Sequence, residues 1–252
     1  MISKNQVKYL HSLRMGKFRD INRAFIAEGG KLIDDLITSK FTIHIIYGTP
    51  GWIDSHQRLI ASEEYVIEEV TVQELEKISN LVTPTEVLAV VGYPEPVNPS
   101  PESMGKIILL LDRLQDPGNF GTIIRTADWF GISHIFCSTD TVDVYNPKVI
   151  QATMGSICRV NIHYTDIKDL LAGLPENWTK YGTLSEGENI YTANLEFPAA
   201  IMIGNESKGI SEEYQSLLTR KIGIPSGSTK GAESLNASVA AGIICSEFSK
   251  RM

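Results

Sequence analysis

The apolar positions of this chain fall into short runs with turn residues between them. Ahead of residue 93, Ala24–Ala27, Thr42–Tyr47, Tyr65–Ile67 and Val87–Gly92 read as strands, interleaved with helical patterns over Ser3–Leu13, Lys31–Thr38 and Thr71–Ser79. This alternation predicts a small α/β or α+β layer structure. Beyond residue 105 the pattern is stronger. Lys106–Leu111, His134–Cys137, Ile157–Ile162, Tyr181–Leu184, Ala199–Ile203 and Ile222–Ile224 are apolar and separated by helix-length segments. Near-continuous apolar strands belong to parallel sheets covered on both faces, so the fold class is α/β. Asn146 before Pro147 predicts a helix start, and Gly131 after Phe130 a helix end. A last helix is predicted from Leu235 to Lys250. Its small residues Ala237, Ala240, Ala241 and Gly242 suit close packing, including packing against a second subunit. Between the halves, Tyr93–Gly105 carries four prolines and no apolar period, the mark of a stiff linker. The expected domains are therefore 1–93 and 106–252, joined by 94–105.

Composition narrows the possibilities. A chain of 252 residues, 42% hydrophobic and 21% charged, can bury a large core. Cys137, Cys158 and Cys245 lie far apart, so neither a disulfide framework nor a zinc knuckle is expected. No apolar run approaches the roughly 20 residues that span a bilayer. The expectation is a cytoplasmic protein with no membrane partner. The net charge of −7 is unevenly spread. Up to residue 31, seven basic residues (Lys4, Lys8, Arg14, Lys17, Arg19, Arg23, Lys31) face Asp20 and Glu28, whereas residues 32–92 carry a net −7. The basic opening is either a solvated helix face or a docking edge for nucleic acid.

Several chemistries are excluded by spacing. No G-x-G occurs, so the dinucleotide fingerprint is absent. Gly204 and Gly209 have Walker spacing, but Ile210 stands where the lysine belongs. There is no G-x-S-x-G elbow, and the five histidines form no ligand spacing, so no metal is expected. What remains is polar residues at strand ends: Asn119 and Arg125, then Glu206, then Ser234 and Asn236. Singly, each reads as a helix cap or an exposed charge. Three glycine-punctuated loops at strand ends suggest instead one shared pocket. Six residues apart, Asn119 and Arg125 would lie about 120° from each other on one helix and share a face only if Asn119 were still in the loop.

Asp116–Ala127, Gly204–Gly209 and Ser234–Ala241, in that order, resemble the three signature motifs of the SpoU-type (TrmH-like) RNA ribose methyltransferases of the SPOUT superfamily. Lys8–Leu13 and Phe25–Ile33 resemble that family's N-terminal RNA-substrate-binding domain. Two departures are small: Gly118 stands where histidine is frequent, and Gln151 where arginine is common. The resemblance implies a C-terminal parallel-sheet domain tied in a deep trefoil knot, with S-adenosylmethionine bound in the knot. It implies cofactor contacts from Thr183, Leu184, Gly204, Asn205, Ile224, Pro225, Leu235 and Asn236. It implies a reacting centre of Arg125, Asn119, Glu206, Ser234 and Asn236 at a homodimer interface. RNA, ribosomal or transfer, would be held by Lys4, Lys8, Lys17, Arg19 and Arg125. A catalytically inactive RNA- or ribosome-binding protein, or a methyltransferase acting on a base nitrogen, are the alternatives.

Overall fold

The computed structural model describes residues 1–60, 65–227 and 233–252. They form two compact units, one of Met1–Pro96 with Asp143–Cys158, the other of Val97–Val142 with Arg159–Met252. The break near Pro96 lies inside the proline-rich stretch. That Asp143–Cys158 groups with the first unit was not legible in the strand pattern.

In the first unit, α1 (Lys4–Ser12) and α2 (Gly16–Asn22) precede β1 (Ala24–Glu28), α3 (Gly30–Ile37), β2 (Ile43–Gly48), α4 (Pro50–Ile60), β3 (Ile67–Glu69), α5 (Val72–Ile78) and β4 (Val87–Gly92). The strands order β1-β4-β2-β3, with antiparallel β1/β4 and β4/β2 pairs and a parallel β2/β3 pair. Ser3 and Thr71 close capping boxes on α1 and α5. Leu10, Leu13, Ile26, Leu75, Ile78 and Val90 pack in a core under the sheet. Helices α2 and α4 were missed by the apolar pattern; Trp52 and Ile60 are the only fully covered residues of α4, so its periodicity is weak.

The chain then runs through β5 (Ile107–Leu111), α6 (Pro117–Trp129), β6 (His134–Cys137), α7 (Pro147–Thr153, in the first unit), β7 (Asn161–Tyr164), α8 (Ile167–Gly173), β8 (Thr179–Asn189), β9 (Ala199–Ile203), α9 (Glu212–Gln215), β10 (Arg220–Gly223) and α10 (Ala237–Ser249). The sheet of the second unit is six-stranded and parallel in every pair, ordered β10-β8-β9-β5-β6-β7. All five residues of β5 and of β9 are buried, as a sheet covered on both faces requires. Asn146 caps α7 ahead of Pro147, and Gly131 takes φ +70° after α6, as expected. Ser156–Cys158 is a 3-10 turn, so β7 begins later than the apolar run Ile157–Ile162 implied. The inward face of α10, carrying Ala237, Ala241, Ile244, Cys245 and Phe248, packs within the chain, where α10 meets α6. On another face of α10, Val239 is 51% exposed. Burial pushes the Cys245 thiol up to about 12 and that of Cys137 upward too, so neither supplies a thiolate.

Strand order reverses between β5 and β9, because β6 and β7 extend one side and β8 and β10 the other. The crevice outside the carboxyl ends of β5 and β9 is where such sheets receive ligands.

Candidate active site

At the end of β5, Asp112 is 1% exposed. Its carboxylate accepts the Ser211 amide at 2.7 Å and hydroxyl at 2.6 Å, and pairs with Arg113 Nε at 3.1 Å. Arg113 turns the chain with φ +54°, a conformation that side chains rarely adopt. Two loops hold it there: its N–H donates to Ser138 Oγ at 2.8 Å, and its carbonyl accepts Asn205 Nδ2 at 2.7 Å. Sequence reasoning missed Asp112 and Arg113, because a polar pair at a strand end carries no period.

The strained turn delivers the chain into α6. Asp116 caps it, accepting the Asn119 amide at 2.7 Å, with Pro117 in the first turn. Asn119 is therefore inside the helix, and its side chain is free to reach the next loop. Its Nδ2 donates to Glu206 Oε1 at 3.1 Å, and its Oδ1 accepts Asn236 Nδ2 at 2.9 Å. Asn236 in turn caps α10, its Oδ1 accepting the amides of Ser238 at 3.0 Å and Val239 at 3.3 Å.

The direction of this chain is forced. Helix N-terminal amides only donate, so Asn236 must turn its oxygen to them and its NH2 to Asn119. An ionised carboxylate only accepts, so Asn119 must turn its NH2 to Glu206. Partial positive charge at the start of α10 is thus relayed through two amides onto Glu206. Among the described residues, Glu206 Oε2 has no partner.

The loop carrying Glu206 is shaped by its neighbours. Asn205 Oδ1 accepts the amides of Ser207 and Lys208 at 3.0 and 3.1 Å, and its backbone bridges to Gly209. Its side chain is engaged within the protein, where Asn205 builds the turn. A Cβ at Gly204 would lie 2.3 Å from the Gly209 carbonyl carbon. The glycine is needed by the return of its own loop. Opposite, β8 pairs with β10 at Tyr181 and Gly182, then again at Glu188 and Asn189, so Thr183–Gly187 arches out of register. Gly223 passes beneath, where a Cβ would stand 2.5 Å from the Leu184 carbonyl oxygen. Thr183 Oγ1 donates to the Met202 carbonyl at 2.9 Å and ties the arch to β9. Leu184 and Ile224 are half-buried, and Pro225 is exposed.

The structure therefore joins Asn119, Glu206 and Asn236. It does not join Ser234, which is exposed and hydrogen-bonded to no described residue. Nor does it join Arg125, exposed and without a described ion-pair partner. With Asn119 inside α6, Arg125 stands about 120° around the helix and about 9 Å along it. In the first unit, Lys4, Lys8 and Lys17 are exposed. Arg19 is not: at 3% exposure it pairs with Asp143 and donates to the Leu13 and Arg14 carbonyls at 3.0 and 2.9 Å. The expectation of a surface charge there is corrected, since a guanidinium with every partner internal is a structural strut. Among the described residues no group of His, Cys, Asp and Glu is suited to a metal, and no helix is long and apolar enough to cross a membrane.

Comparison with known proteins follows the two parts of the chain. Residues 106–246 match the SpoU rRNA Methylase family, and residues 4–89 the MRM3-like substrate binding domain. The 23S rRNA (guanosine(2553)-2'-O)-methyltransferase RlmP of Bacillus subtilis is 28% identical, over 96% of this chain and 95% of its own. A TrmH-family protein from Porphyromonas gingivalis has a TM-score of 0.88 at 36% identity, covering 100% of both chains. An AdoMet-bound rRNA methyltransferase from Sinorhizobium meliloti has a TM-score of 0.82 at 27% identity, covering 100% of this chain and 97% of that one.

Proposed function

Because the chain belongs to the SpoU rRNA methylase family, we propose that it transfers the methyl group of S-adenosylmethionine to a ribose 2'-hydroxyl of RNA, ribosomal RNA before transfer RNA. The observation that carries this reading is the relay from α10 through Asn236 and Asn119 to Glu206, which ties three separate loops to one crevice.

The residues present fit the cofactor. Leu184 and Ile224, half-buried, and Leu235, 48% exposed, are apolar side chains left partly uncovered around glycine-tight backbone, as an adenine requires. Glu206 keeps an oxygen for an ammonium. Thr183, Gly204 and Pro225 complete the lining through backbone and small contacts. When bound, S-adenosylmethionine supplies an electrophilic sulfonium methyl.

A ribose hydroxyl is a poor nucleophile at neutral pH, so the protein must orient it and favour its loss of a proton. Arg125 serves as phosphate anchor and stabiliser of the developing alkoxide, the role a guanidinium's fork of donors suits, not as a base. Ser234 and Asn236 orient the approach from the third loop. Arg125 lies on another side of α6 from the relay, which supports an RNA that reaches it across a homodimer. Trp129 at the end of α6 is 84% exposed and Val239 on α10 is 51% exposed, apolar surface that a second copy would cover. The arch Thr183–Gly187 over Gly223 supports a trefoil knot in 106–252. Residues 1–93 present Lys4, Lys8 and Lys17 to RNA, and 94–105 act as linker. The buried thiols of Cys137 and Cys245 suit the cytoplasm.

The test is to incubate the protein with methyl-labelled S-adenosylmethionine and total RNA, digest to nucleosides, and compare with Arg125→Ala. Label on ribose, lost in the variant, is the expected result. Absence of label points to an RNA-binding protein and label on a base to a nitrogen methyltransferase; either overturns the proposal.

A further inference from the structure

A second site lies within the first unit. Residues of β1, of the segment after α5 and of α7 enclose a cavity of about 310 Å³, large enough for one planar ring system. Ile26, Leu81 and Ile150 supply apolar walls. Glu28, 6% exposed, accepts the Ser79 hydroxyl at 2.5 Å and the Asn80 amide at 2.8 Å. Those bonds pin the Asn80 backbone, and Asn80 is one of the residues that line the cavity. Both Asn80 Oδ1 and Nδ2 are buried, and neither has a hydrogen-bond partner among the described residues.

A buried amide with donor and acceptor both idle is costly to keep, and folds retain such groups where something else completes them. Its complement is a planar edge that offers one acceptor beside one donor. The pairing edge of a nucleobase is such an edge, and apolar walls suit its faces. Lys148 lines the same cavity with its side chain exposed, a cation suited to the attached phosphate.

We infer that this cavity receives one unpaired base of the RNA substrate, read by the Asn80 amide, with Lys148 on its phosphate. The inference rests on the RNA-methylating reading above and extends it from chemistry to site selection. Methyl transfer to a ribose needs no base contact, but choosing one nucleotide does.

The experiment uses the full chain, with in vitro transcribed ribosomal RNA and free mononucleotides as probes. Asn80→Leu keeps the shape and removes the amide; Asn80→Asp keeps an acceptor and removes the donors; Lys148→Ala removes the phosphate contact. Affinity for S-adenosylmethionine and the thermal midpoint report on folding. The expected result is RNA affinity about 5- to 150-fold weaker in both Asn80 variants, with cofactor affinity unchanged and a higher thermal midpoint for Asn80→Leu. Lys148→Ala should lower the salt dependence as well. RNA affinity and methylation pattern equal to the wild type overturn the inference, whether the cavity holds water alone or a free nucleotide. If the wild-type protein methylates no RNA, the earlier reading falls. If it does methylate and the variants match it, only the cavity assignment falls.

Discussion

Asn119→Ala cuts the relay at its centre. The amide makes a charge-assisted bond to Glu206 at 3.1 Å and a neutral one with Asn236 at 2.9 Å. Charge-assisted bonds contribute about 1.5–3 kcal/mol and neutral ones about 0.5–1.5 kcal/mol. Glu206 is only half-buried and Asn236 is exposed, so the low end of each range applies. That is about 2 kcal/mol of coupling between the loops. Water satisfies part of what is lost, so global stability should fall by only about 1 kcal/mol. If all three loops must be in register at the reacting centre, kcat/KM for methyl transfer should fall about 30-fold. Asn119→Asp sharpens the test. It keeps the shape and the bond from Asn236 but sets a second carboxylate against Glu206. It should be worse than alanine, because two like charges then face each other across the broken bond. Single-turnover transfer from labelled S-adenosylmethionine, with calorimetric cofactor affinity and thermal unfolding alongside, measures all of this. Asn119→Asp at or above the activity of Asn119→Ala would refute the reasoning, as would both variants remaining within twofold of wild type.

Gly204→Ala and Gly223→Ala each push a methyl group into backbone, at 2.3 and 2.5 Å, and should cost about 1–3 kcal/mol, read as a lowered calorimetric midpoint together with weakened cofactor binding. An unchanged midpoint would mean that the loops yield. Arg19→Met should cost about 2–3 kcal/mol in denaturant titration, because it strips the partner from Asp143 and leaves the Leu13 and Arg14 carbonyls unpaired. Reversal of Lys4, Lys8 and Lys17 should leave stability within about 0.5 kcal/mol while flattening the salt dependence of RNA binding; an unchanged salt dependence would remove these lysines from the RNA contact. Glu74 is held down to about 2 by the Thr71 and Ile2 amides. Its folded pKa is the lower one, so its stabilisation is present above the ordinary carboxylate range and is lost as pH falls toward 2. Acid titration followed by circular dichroism should show that slope in the wild type and a shallower one in Glu74→Gln.

Strand identity was legible in the sequence because burial on both faces leaves a nearly unbroken apolar run, as in β5 and β9. Caps such as Asn146 act within a turn of chain, so their chemistry is local and readable. The three motif loops were recognisable too, since glycine and asparagine at strand ends are compositional signals. What Asn119 does was not legible: as a helix residue it has no local task, and its partners come from 87 and 117 residues away. That the protein's own loop also uses Gly204 and Asn205 was not legible either, because the backbone they meet returns only on folding. Arg19 looks like Lys17 in sequence and differs only because Asp143, 124 residues on, folds against it. Nothing short-range marks Asp112, or the unpaired Asn80 amide in its cavity. Hydrophobic period and capping are set by neighbours along the chain, so the sequence by itself determined the elements and their class. Burial, hydrogen-bond direction and the pairing of charges depend on residues that only folding brings within 3 Å, so the tertiary structure decided which polar side chains hold the protein together and which are left to act.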